Sequence, residues 1–322
     1  MGLALTNLKY YLNKMGGLKM VMQYVKSHIF IYACLQVLIN GTSKKSLEIV
    51  RLALSNKILK RLRKKNRKLC LKYKNSLNEQ KLIKERSDKI WVCWFQGIGK
   101  EPFIVNACYK SIKDNIKNKD IILITDNNYK DYITFPSYIQ EKIDKGIITK
   151  THLSDLLRLE LLIKYGGTWI DSTVYCSGSN IPDYILNSDL FLYQCLKPGL
   201  DGEPLRISSW LITSTTNNEI LLLTRELLYN YWKRNNYLID YYLFHNFFEL
   251  AIETYPEIWD KVVPTSNSVP HILLLRLFDK YDEYMWNEIK NMTCFHKLSY
   301  KLDTKSLEIK DTYYKNIFCN RK

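Results

Sequence analysis

Three charged side chains stand close together in the stretch THLSDLLRLELLIKYGGTWIDSTV, residues 151–174, and their spacing suits work on a phosphorylated sugar. Asp155 and Arg158 lie three apart, which puts both on one face of a helix. Ser154 is placed to cap that helix, Leu156, Leu159, Leu162 and Ile163 supply an apolar stripe, and Gly166-Gly167 ends it where a positive φ costs little. Thr168, Trp169 and Ile170 then read as a strand. That strand delivers Asp171 at its carboxyl end, the edge at which open α/β sheets bind ligands. Two acidic groups and one basic group are thereby gathered, a set able to hold sugar hydroxyls and phosphate oxygens.

Read as a pattern, SDLLRxxLLxKYGGxWxDxT resembles the signature of the capsular polysaccharide synthesis proteins. These are similar to glycosyltransferase family 32 and, more remotely, to the glucosylating domains of clostridial toxins. The likeness spans residues 89–302 and continues, in order, through WVCWFQG (91–97), ILITDNNYKDY (122–132), SSWLI (208–212), DYYLFH (240–245) and FHKLSYK (295–301). Several blocks in the right order are far more specific than one short motif. The resemblance implies a GT-A fold, a Rossmann-like nucleotide-sugar-binding sheet, and transfer of a sugar from a nucleotide donor with retention of configuration. A UDP-sugar is the expected donor.

Such a transfer releases an anionic diphosphate and builds positive charge on the sugar ring, so the site must stabilise the leaving group. A divalent cation bridging the phosphates is the usual device, and hard oxygen ligands suit Mn2+ or Mg2+. The resemblance puts Asp171 at the first position of a D-x-D element whose last position is here Thr173, a neutral hydroxyl. His296 completes the expected metal shell, with Lys297 or Lys301 neutralising phosphate. Asp155 would accept from donor hydroxyls and Arg158 would bind sugar or diphosphate oxygens. The alternative for this pair is an intrahelical ion pair of a few tenths of a kcal/mol. Trp94, Gln96 and Gly97 would line the nucleotide, with Thr125 and Asp126 beside them and Gly167 also in the substrate-binding set. Asp240 would position or deprotonate the acceptor hydroxyl; its alternative is a helix cap. His245 reads as core.

Apolar strands alternate with helical stretches from Ile90 onward, the pattern of an α/β sheet. Strands are expected at 90–95, 121–125, 168–171, 189–193 and 208–212, and helices at 103–115, 154–165, 217–234, 240–252 and 270–287. Charge divides the chain. Residues 1–88 hold 20 Lys and Arg against 4 Asp and Glu, whereas residues 89–322 hold 28 of each, so the whole net charge of +16 falls in the first quarter. This implies a basic, mainly helical extension (1–88) on a transferase domain (89–322).

Within the extension, Leu47, Val50, Leu54, Ile58 and Leu62 recur at helical spacing, and RLRKKNRK overlaps their end. A basic amphipathic helix over 44–74 suits insertion into an anionic membrane surface, or packing on the domain with a solvated basic face. Nucleic acid is disfavoured as a partner, since no recognisable binding module is present and aromatics are sparse in the charge run.

The apolar run 29–39 is interrupted by Gln36 and falls short of the about 20 residues a bilayer demands. Eight cysteines form no CxxC pair and no zinc spacing. The reading is therefore a cytoplasmic protein, peripheral on the inner face of the plasma membrane. It would add a sugar to a surface polysaccharide acceptor on a lipid carrier. The competing readings are a protein-glucosylating transferase and an inactive basic membrane-binding or nucleic-acid-binding protein.

Overall fold

The computed structural model describes residues 18–196 and 205–319. Three helices open it: α1 (Leu18–Lys26), α2 (Phe30–Asn40) and the long α3 (Lys44–Asn78). Strand β1 (Lys89–Cys93) then leads through α4 (Phe103–Asn115) to β2 (Asp120–Ile124). Next come α5 (Ser137–Asp144), α6 (Lys150–Tyr165) and β3 (Gly167–Asp171), followed by β4 (Val174–Cys176), β5 (Leu190–Gln194) and β6 (Ile207–Ser214). Helices α7 (Glu219–Arg234), α8 (Leu243–Thr254) and α9 (Glu283–Met292) precede the last strand, β7 (Phe295–Lys297).

The result is a mixed α/β protein with a parallel-rich central sheet in the order β2-β1-β3-β6-β5. β1 pairs in parallel with both β2 and β3, while β6 runs antiparallel to β3 and β5 antiparallel to β6. The chain leaves β1 to one side for β2 and returns to its other side for β3, so the direction of winding reverses at β1. In sheets of this kind the crevice beyond the carboxyl ends of the strands at such a reversal is where ligands bind.

Side-chain alternation gives the sheet two apolar faces. Trp91, Trp169 and Ile212 enter one core cluster, while Ile90, Val92, Ile170 and Leu211 enter another on the opposite face. A period of two with both sides buried is what strands covered on both faces require. Gly167 is fixed by the pairing itself. At φ +92° a Cβ there would lie 2.2 Å from the Lys89 carbonyl oxygen, so only glycine lets β3 approach β1.

Each expected strand is present within a residue or two, and β6 extends further, to Ser214. The helix expected from Ser154 begins earlier. Thr149 is its cap, its hydroxyl accepting from the His152 N–H at 3.4 Å, whereas the Ser154 hydroxyl donates to the Thr151 carbonyl within the helix. The helix expected over 270–287 is broken. A short helix at Ile272–Arg276 stops, and Asp282, in extended conformation, caps α9 by accepting from the Met285 N–H at 2.7 Å. The antiparallel pair of β4 with β7 has no counterpart in the sequence reading.

Helix α3 belongs to the body. Its Val50, Leu54, Ile58, Leu59 and Leu62 share one apolar cluster with Trp169, Leu159 and Phe247, and it packs against α7 and α8. Its basic face is solvated and partly paired: Arg63 Nε lies 2.8 Å from Glu253, and Lys74 donates to the Thr254 carbonyl at 2.7 Å. Of the side chains expected to enter lipid, Val50, Leu54, Ile58 and Leu62 are therefore buried and Leu47 half-buried, and residue 88 marks a change in charge with no break in packing. The exposed apolar face belongs to α2 instead, where Ile31, Leu35, Leu38 and Ile39 are 76%, 50%, 79% and 75% exposed. No helix among the described residues is long and apolar enough to cross a membrane.

Candidate functional site

The carboxyl ends of β1 and β3, the first turns of α6 and the segment after β7 enclose a cavity of about 390 Å³. Capping by Thr149 sets the phase of α6 so that Asp155 and Arg158 both face inward. Arg158 Nη1 lies 3.2 Å from Asp155 Oδ1 and donates to the Ser209 carbonyl of β6 at 3.0 Å, while Nη2 approaches Asp171 Oδ1 at 3.5 Å. The guanidinium also stacks over Trp169 (5.0 Å) and Phe244 (5.6 Å). It is almost wholly buried and ties helix, sheet and α8 together.

Asp171 accepts from three donors, the third being Arg158. Its Oδ1 accepts from the Trp169 indole N–H at 2.9 Å, two residues back on the same face of the strand, and its Oδ2 accepts from Lys297 at 3.0 Å. Lys297 donates as well to the Thr173 hydroxyl at 2.6 Å. Burial alone would push the Asp171 carboxyl up; Lys297 and Arg158 outweigh it and hold it below the usual carboxylate range.

Asp155 follows the same logic, with burial opposed by Arg158 and by His152. The Trp232 indole donates to His152 Nε2 at 3.0 Å, and His152 Nδ1 lies 3.3 Å from Asp155 Oδ2. Asp155 thus meets Arg158 and His152 in a dry setting, where the Arg158 contact is well beyond an exposed ion pair.

The β4–β7 ladder decides between the neighbours His296 and Lys297. Register sets Lys297 opposite Val174 and His296 opposite Tyr175, so alternate side chains leave the ladder on opposite faces. Lys297 reaches the cavity; His296 does not. The imidazole is fully buried, bonded through Nε2 to the Ser177 hydroxyl at 2.8 Å and packed near Trp286, and burial pushes its pKa down to about 3. Lys301 is exposed, its ammonium 5.7 Å from the Tyr300 ring, and Tyr300 rather than Lys301 lines the cavity.

Asp240 also stands outside the cavity, accepting from the Tyr242 N–H at 2.9 Å in the turn before α8 without capping the helix, and burial raises its pKa. Its neighbour Tyr241 lines the cavity together with His245. The His245 ring, read as core, is half-buried at the cavity wall; desolvation pushes its pKa down to about 4, with Asp155 opposing that shift and Arg158 assisting it.

Trp94 and Gln96 border the cavity. The Trp94 indole N–H is buried without an acceptor among the described residues, a donor that a ligand can satisfy, and its ring meets Tyr300 edge-on at 5.4 Å. Gly97 holds φ +75° in the turn that follows. Thr125 is occupied with Asn128, its N–H bonding the amide oxygen at 2.7 Å, and Asp126 pairs with Lys150, a lining residue. Gly167 sits away from this site, beside a smaller hollow of about 280 Å³ at the opposite ends of the strands.

Lys150, Ser209, Tyr241, His245 and Tyr300 are lining residues absent from the sequence-derived set. Tyr241 and Tyr300 fall inside the quoted blocks, one residue from Asp240 and from Lys301.

The side chains at Asp171 do not fit a divalent cation. Both carboxylate oxygens already accept N–H donors, the Thr173 hydroxyl accepts from Lys297, and His296 points elsewhere. Mg2+ and Mn2+ need several oxygen ligands around one point. Among the described residues no group of three His, Cys, Asp or Glu side chains gathers to hold one.

A family model described as capsular polysaccharide synthesis protein matches residues 36–317 and so takes in α3 as well as the sheet. No curated protein sequence matches the chain. Among solved structures, one described as PaToxG Glycosyltransferase is similar at a TM-score of 0.38 and 16% identity, over 83% of this chain and 97% of that one.

Proposed function

The chain belongs to the capsular polysaccharide synthesis protein family, and from that premise we propose that it is a glycosyltransferase of the GT-A type. It transfers a sugar from a nucleotide donor, expected to be a UDP-sugar, to a lipid-linked surface polysaccharide. One observation carries the reading: Asp171, at the carboxyl end of β3, is clamped between Arg158 and Lys297 at the wall of a cavity of about 390 Å³. Fixed cations beside a sheet-end carboxylate suit a diphosphate leaving group.

In the reaction the bond from the anomeric carbon to the diphosphate oxygen breaks, and its electron pair passes to that oxygen. The acceptor hydroxyl oxygen bonds the same carbon on the same face, and its proton leaves with the released diphosphate. Lys297 faces the developing anionic charge. Trp94 offers its ring and its free N–H to the nucleotide, and neutral His245 and Tyr241 border the acceptor side. The test is release of free nucleoside diphosphate from a panel of nucleotide sugars. One sugar nucleotide should be consumed in preference to the rest, and failure to consume any of a broad panel with acceptor lipid present would defeat the reading.

A lipid-linked acceptor also gives the surface of α2 a purpose. Its exposed Ile31, Leu35 and Leu38 recur at helical spacing, and basic residues of α3 lie alongside, Lys57 stacking 5.2 Å from the Tyr32 ring of α2. An apolar stripe flanked by cations suits an anionic bilayer surface. The double variant Leu35→Glu, Leu38→Glu should release the protein from anionic vesicles. Wild-type binding should fade as salt shortens screening below about 8 Å. Undiminished sedimentation of the variant with vesicles would refute this attachment.

A further inference from the structure

We infer that the ammonium of Lys297 stands where a sugar transferase would otherwise hold a divalent cation, and that this chain neutralises its departing diphosphate with Lys297 and Arg158 alone. The inference rests on the transferase reading for its reaction and on geometry for its content.

Thr173 removes the second carboxylate of the expected D-x-D element. In the same place Lys297 Nζ bridges what remains of it, 3.0 Å from Asp171 Oδ2 and 2.6 Å from Thr173 Oγ1. Those are the two atoms that would have bound the metal. An ammonium carries three N–H donors, and two are used here, which leaves one directed to a further acceptor. Arg158 approaches the other oxygen of Asp171 at 3.5 Å, so the carboxylate is bracketed by two fixed cations.

A divalent ion entering this point would meet both cations at close range and would have to displace Lys297 from each of its acceptors. Within a mostly buried site such like-charge contacts are weakly screened. A diphosphate, by contrast, brings the charge that the bracket attracts. It can accept the remaining N–H of Lys297 while Asp171 keeps the ammonium aligned. The positive charge is then supplied by a tethered group, with no ion to recruit.

The β4–β7 ladder makes this arrangement rigid. Lys297 is the last residue of β7, opposite Val174, and the following residue is held by its N–H to the Thr173 carbonyl at 2.9 Å. The ammonium is therefore anchored to the same turn that carries Asp171 and Thr173.

Two measurements on the full-length protein decide the matter. In the first, Mn2+ alone is titrated into the wild type and followed by the electron paramagnetic signal of the free ion. The wild type should leave Mn2+ free through the millimolar range, whereas Lys297→Met, which keeps the stem and removes the charge, should gain a site that a further Asp171→Asn change removes. Mn2+ bound by the wild type and released by Asp171→Asn overturns the inference, as does a Lys297→Met protein that folds but gains no site.

In the second, turnover of the preferred nucleotide sugar is followed with EDTA and with added Mn2+. The wild-type rate should change by less than about twofold, and Lys297→Met should lose about 100-fold or more. Abolition by EDTA with recovery on Mn2+ overturns the inference while leaving the transferase reading intact. If no sugar nucleotide is consumed at all, the transferase reading fails, and the Mn2+ titration still decides the question of the metal position.

Discussion

Arg158→Ala is expected to lower the unfolding free energy by about 3–5 kcal/mol at neutral pH, because it strands two carboxylates whose charge the guanidinium now compensates. Arg158 lies 3.2 Å from Asp155 and 3.5 Å from Asp171, and its side chain is 5% exposed. The pH dependence identifies the cause. In the wild type both carboxyls are held below the usual carboxylate range. A depressed folded-state pKa contributes stability above the unfolded value of about 4, which is lost as pH falls through the folded one.

Without Arg158, burial governs Asp155 and lifts its pKa above the unfolded value. The sign then reverses: the penalty is full at neutral pH and is relieved as the carboxyl protonates on acidification. The gap between wild type and variant in urea unfolding should therefore be widest near pH 7 and narrow below about pH 5. A gap of the same size at both ends would mean that lost packing on Trp169 and Phe244, rather than charge, accounts for the cost. Transfer should be abolished in the variant at every pH.

The parts of this site that were legible in the sequence are the local ones. Asp155 and Arg158 share a face because a helix repeats every 3.6 residues, and Asp171 ends a strand because Gly166-Gly167 separates it from that helix. Both statements need only neighbouring residues. Choosing between His296 and Lys297 needs the phase of a three-residue strand, and that phase is set by pairing with β4 more than a hundred positions earlier in the chain. Nothing local fixes it. The same limit separates Asp240 from Tyr241, where the turn before α8 leaves one side chain outside the cavity and sets the next at its wall.

Helix α3 illustrates a different limit. An apolar stripe at helical spacing satisfies lipid and protein equally, so the sequence supports an amphipathic helix without naming its partner. Packing on α7 and α8 uses the stripe of α3 and leaves that of α2 exposed. Charge was the misleading signal here. The basic residues of α3 mark its solvated face, and they carry no information about where the domain ends.

Asp171 stands at the centre of the proposed transfer site, and Asp171→Asn is the most direct test of it. The amide keeps the volume of the side chain and can still accept from the Trp169 indole, but it loses the charge that aligns Lys297 and Arg158. Asp171 lies at the cavity wall with its side chain 27% exposed, so the fold should survive. The measurement is sugar transfer from the preferred nucleotide donor by a protein whose circular dichroism and melting match the wild type. A loss of about 100- to 1,000-fold is predicted, the range found when one preorganised electrostatic partner of a transition state is removed. Turnover within a few fold of the wild type, in a folded Asp171→Asn protein, would contradict the assignment of this cavity as the transfer site.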